Sequence, residues 1–90
     1  MIDLALTAGE SFLRQQGATR IMGHRIVEIP GAGRVYFVRG HNGETSVRCM
    51  IAVDMVGNMR GPHKITRYEQ KKLGAKCKRE IRRRKKREAA

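Results

Sequence analysis

Between residues 45 and 54, Thr45, Val47, Cys49, Ile51 and Val53 alternate with Ser46, Arg48, Met50 and Asp54. A period of two puts one set on each face of a pleated strand, so the run predicts a β-strand with an apolar inner face. The same run constrains its neighbours, because a one-residue slip would turn every inward side chain outward. Two strand-like runs precede it. Residues 24–29 end in the turn cluster Pro30-Gly31-Ala32-Gly33, and residues 34–39 end in Gly40-His41-Asn42-Gly43, an Asn-Gly hairpin signal. Three strands joined by short turns predict an antiparallel meander. With Val47, Cys49, Ile51 and Val53 inward, Val35 and Phe37 are expected beside them and Val27 and Ile29 beyond. The other face would carry Ile26, Glu28, Arg34, Tyr36, Val38, Arg48 and Met50.

Helices are expected at both ends. Ile2, Ala5, Leu6, Phe12 and Leu13 follow a helical period, with Gly17 as a stop. The start falls near Ile2, or near Ala8 if Thr7 and Glu10 form a capping box. Residues 57–63, Gly-Asn-Met-Arg-Gly-Pro-His, read as a loop on composition. Thr66-Arg67-Tyr68-Glu69 matches a second capping box, and no proline follows it. Ile65, Leu73, Cys77 and Ile81 recur at multiples of four, a stripe able to pack the first part of a long helix on the sheet. The expected fold is therefore α+β, in the order helix, three strands, helix. Its organisation is a small body over residues 1–63 and a basic helical tail over residues 64–90.

Charge divides the chain at the same place. Of a net +12, residues 1–63 hold seven basic and five acidic side chains, a net of +2. Residues 64–90 hold thirteen basic and three acidic ones, a net of +10. Such asymmetry points to nucleic acid or another anionic surface as partner. Clustered Lys and Arg gain free energy by releasing the counterions condensed on phosphate chains, and the arginine fork suits phosphate oxygens. The residues expected to carry this are Arg60, Lys64, Arg67, Lys71, Lys72, Lys76, Lys78, Arg79, Arg82, Arg83, Arg84, Lys85, Lys86 and Arg87. Arg34, Tyr36, Arg48 and Met50 form a further expected contact face, with Tyr36 stacking and the arginines pairing phosphates.

Other chemistry finds little support. Cys49 and Cys77 do not make a disulfide framework, and His24, His41 and His63 lack metal-ligand spacing. No nucleophile, acid pair or phosphate-loop motif is present, so neither an enzyme nor a cofactor is expected. No apolar stretch exceeds Met50-Ile51-Ala52-Val53 in length, and the first residues show no secretory leader. An intracellular, cytoplasmic protein without a membrane partner is the expectation, associated with a nucleoid or RNA if it binds nucleic acid.

The order helix, three strands, helix resembles that of double-stranded RNA-binding domains. Lys71-Lys72-Leu73-Gly74-Ala75-Lys76 is similar to the lysine-rich start of their second helix. Here Gly61-Pro62-His63 follows the third strand, whereas in that family the corresponding loop joins the first two. The likeness is one of element order and a single short motif, an analogy that assigns no family.

Two functions compete on this reading. One is a small nucleic-acid-binding protein, for DNA or RNA, that contacts the phosphate backbone mainly through its C-terminal helix with low sequence specificity. The other is a non-enzymatic adaptor or inhibitor that docks on a larger acidic protein or ribonucleoprotein, anchored near Tyr36, Val38 and Met50. A homodimer through the same exposed aliphatic face is a further expectation.

Overall fold

A computed structural model describes residues 3–89. Ile2, one of the apolar positions expected in the first helix, and Ala90, the end of the basic tail, lie outside the described residues. The order is α1 (Leu4–Gln15), β1 (Arg20–Ile29), β2 (Gly33–His41), β3 (Ser46–Asp54), β4 (Met59–Ile65) and α2 (Arg67–Ala89). The four strands pair as an antiparallel meander, β1-β2-β3-β4. The fold is thus α+β as expected, with four strands in place of three.

The added strand is β4, in the stretch that composition assigns to a loop. Gly57 and Asn58 do turn the chain. Asp54 Oδ1 accepts from the Val56 and Asn58 amides, at 2.9 Å each. Beyond the turn, Met59 to Ile65 run along β3, with Met50 opposite His63 and Ala52 opposite Arg60. Pro62 is tolerated because β4 is an edge strand, where a missing N–H breaks no second ladder. β4 runs through the position 63/64 at which body and tail were to divide. A fourth strand also departs from the element order of double-stranded RNA-binding domains.

The helix ends follow their caps. Asp3, rather than Thr7, caps α1, its Oδ1 accepting from the amides of Ala5 and Leu6 at 3.1 and 3.2 Å. Gly17, at φ +98°, ends that helix in the left-handed region. At α2 the expected box forms: Thr66 Oγ1 accepts from the Glu69 amide, and Glu69 Oε1 from the Thr66 amide.

The helices lie on opposite faces of the sheet. Under α1 the core is Ala5, Leu13, Ala18, Tyr36, Val38, Val47, Cys49 and Ile51. The inward set of β3 is as expected, but β2 presents its other face to it. Tyr36 stands opposite Ile51 and Val38 opposite Cys49, so these two are core and not contact surface. Val35 and Phe37 point to the second face, toward α2, where Phe37, Ile65 and Cys77 are also buried. β2 can invert in this way because Val35-Tyr36-Phe37-Val38 is apolar on both parities. The helix α2 leaves the β4 edge, passes over Phe37, and ends its docking at the β1–β2 turn, where Arg84 Nη1 donates to the Pro30 carbonyl at 3.2 Å.

Candidate functional site

The hairpin geometry concentrates charge on the α2 face. The β2–β3 turn is held by Asn42, whose Oδ1 accepts from the amides of Glu44 and Thr45 at 2.9 and 2.8 Å. That register sets Arg39 directly opposite Arg48, and on the neighbouring pair Arg25 opposite Phe37. Like charges facing each other across a ladder oppose folding. The helix adds Arg67, Lys71 and Lys78 on the other side of a cleft whose floor is Phe37. The cleft encloses about 360 Å³, and an adjoining hollow of about 240 Å³ extends it past Arg25, Arg48 and Gln70 to Arg39 and His24.

Six cations therefore surround the cleft and its adjoining hollow, and among the described residues no carboxylate lines them. Among the described residues the ion pairs are Arg34 with Glu28 and both Arg83 and Arg84 with Glu80, all outside the cleft. Arg48 Nη1 donates to the neutral Gln70 Oε1 at 2.9 Å. Burial, then the Arg39 and Arg67 charges, hold the Arg48 guanidinium below the usual arginine range. Arg48 is thus a half-buried guanidinium with no carboxylate partner, an arrangement that an anion stabilises.

The expected phosphate-binding residues distribute unevenly. Arg67, Lys71, Lys78 and Arg48 meet in the cleft. Lys76, Arg79, Arg82, Lys85, Lys86 and Arg87 are exposed along α2, and Arg60 and Lys64 are exposed on β4. Lys72 lies over the Tyr68 ring, 5.0 Å from its centroid. Arg83 and Arg84 pair with Glu80, and Arg84 also donates to the Pro30 carbonyl.

The expected contact face does not hold together. Met50 belongs with Arg48 to the α2 face, while Arg34 and Tyr36 belong to the α1 face. Tyr36, only 2% exposed, donates its hydroxyl to Asp3 Oδ2 at 2.7 Å and accepts from Arg34 Nη1 at 3.3 Å. Its ring is unavailable for stacking on a base.

Sequence reasoning missed Arg25, Arg39, Phe37 and Gln70. A signal for one of them was present: Arg39 and Arg48 are equidistant from the Asn42–Thr45 turn, and a hairpin folded there must pair them. Arg25 and Gln70 enter only once the register of β1 and the path of α2 are known.

Other reactive groups are quiet. Cys49 is fully buried and desolvation pushes its thiol up to about 11, which keeps it protonated. Burial also raises the Cys77 thiol. Among the described residues no three His, Cys, Asp or Glu side chains group as metal ligands, and no helix is long and apolar enough to cross a membrane.

No protein-family model matches the chain, and searches of curated proteins and of solved structures give no match either.

Proposed function

We propose that this chain is a small nucleic-acid-binding protein that grips the phosphate backbone with the α2 face of its sheet and with α2 itself, largely without regard to sequence. The observation that carries this reading is the cleft of six cations, lined by no carboxylate among the described residues. The cations of α2 continue from it, ending in the uninterrupted run Arg82-Arg83-Arg84-Lys85-Lys86-Arg87, of which Arg82, Lys85, Lys86 and Arg87 are exposed and outside the Glu80 pairs. Phosphate contacts position a protein without reading bases, and with Tyr36 in the core its ring does not supply base-specific readout. The test is binding of labelled DNA and RNA over a range of salt. Affinity should fall by about 0.7 to 0.9 log units per log unit of salt for each phosphate contact made, and removal of residues 78–90 should weaken it. Affinity indifferent to salt, or unchanged by that truncation, would refute the proposal.

A second reading, docking on a larger protein, draws on a different observation. Leu4, Met55 and Val56 are exposed by 75%, 69% and 86%, and with Met59 they border one hollow at the start of α1. Under that reading the anchor is this patch, and the expected anchor at Tyr36, Val38 and Met50 is not used. Binding to a partner that survives nuclease treatment and is lost on Val56→Asp would favour it.

A further inference from the structure

We infer that the cleft between α2 and the sheet admits a single nucleic-acid strand and excludes a duplex. This rests on the nucleic-acid reading above and adds the form of the ligand. The innermost cation is Arg48, half-buried on the sheet beneath α2, while Arg25, Arg39, Arg67, Lys71 and Lys78 around it are exposed. At its Gln70 end the cleft is narrow enough for one side-chain hydrogen bond to cross it, Arg48 to Gln70 at 2.9 Å. A duplex carries its phosphates on the outside of a body much wider than that, so it reaches only the outer cations of α2. A single strand is thin enough to enter and sheds its counterions there.

Two features favour a strand over a single phosphate group. The two hollows adjoin at Arg25, Phe37, Arg48 and Gln70, and together they reach from Arg39 to Lys78. Charge spread over that length matches a repeating anion, whereas a mononucleotide would leave most of it unneutralised. Beside Gly74 the cleft is open, since a Cβ built there would meet nothing within 4 Å. The Arg39–Arg48 repulsion, left in the free protein, is relieved when a phosphodiester lies between them.

The test compares the full chain with a cleft variant, Arg48→Gln, and with an outer variant, Lys85→Gln/Lys86→Gln. Probes are a short labelled oligothymidylate, a duplex of equal length, and adenosine monophosphate as competitor. The cleft variant should lose about tenfold or more in affinity for the single strand while changing duplex binding by less than about twofold. The outer variant should weaken both probes alike. Because it removes like-charge crowding, the cleft variant should melt no lower than the parent, which separates lost binding from lost fold. The inference is overturned if the cleft variant keeps full single-strand affinity, if it loses both probes equally, or if the mononucleotide displaces the strand at equal phosphate concentration. Failure of the parent chain to bind any of the polymers would instead refute the function proposed above, and the inference with it.

Discussion

Asp3 links the start of α1 to the sheet. One carboxylate oxygen accepts from the Ala5 and Leu6 amides, and the other accepts from the hydroxyl of Tyr36, a residue thirty-three positions away. The Tyr36 hydrogen bond, ahead of the helix amides, holds the Asp3 carboxyl below its ordinary value of 3.8. A depressed carboxyl pKa contributes stability that is present above the unfolded value and is lost as pH falls through the folded one. Tyr36→Phe removes the bond but leaves the helix cap intact. It should cost about 1–2 kcal/mol at neutral pH, measured by urea unfolding. The gap between parent and variant should shrink below about pH 4, as Asp3 takes up a proton. A gap that is constant down to about pH 3 would mean that Tyr36 acts through packing alone.

The two long elements that flank the sheet are held to it very differently, and one glycine in each shows how. At Gly9 in α1 a Cβ would come within 2.7 Å of Ile51 Cδ1 and 3.0 Å of Val38 Cγ2. These are buried side chains with little room to yield, so Gly9→Ala should destabilise by about 1–3 kcal/mol in spite of its better helix propensity. At Gly74 in α2 the same change meets nothing, and it should stabilise by up to about 1 kcal/mol. Thermal melts of the two variants should therefore shift in opposite directions. This close-against-loose contrast was only half legible in the sequence. β3 declared its faces by strict alternation, and the α2 cap and its Cys77 stripe could be read directly. β2 declared nothing, since four successive apolar residues fit either parity, and only pairing with β3 decides that Tyr36 is core. β4 was hidden by Gly61 and Pro62, residues that break a central strand but are admissible at an edge. The cleft was the least legible feature, because its cations come from β1, β2, β3 and α2 and meet only in the folded sheet.

At the scale of the whole molecule, a net charge of +12 is spread over a body measuring 49 × 29 × 18 Å. Among the described residues only Glu28 and Glu80 answer a cation with an ion pair. Most of the remaining cations see one another across distances that salt can screen. The Debye length is about 30 Å at 0.01 M and about 10 Å at 0.1 M, so it passes through the dimensions of the molecule in that interval. Repulsion among the cations weakens the compact state most at low ionic strength. Melting temperature should therefore rise as sodium chloride is added over this range, while affinity for nucleic acid falls. The two trends share one cause, screening of the same positive charges, and run in opposite senses because a phosphate chain attracts what the other cations repel. Arg39→Gln separates local from global repulsion: it removes the cross-strand pair with Arg48 and leaves α2 untouched. If that pair dominates, the variant should melt higher than the parent at low salt and respond less to added salt. If the charges of α2 dominate, parent and variant should rise in parallel. A melting temperature that falls with salt would mean that the few ion pairs outweigh the repulsion, and that the cleft is not electrostatically strained in the free protein.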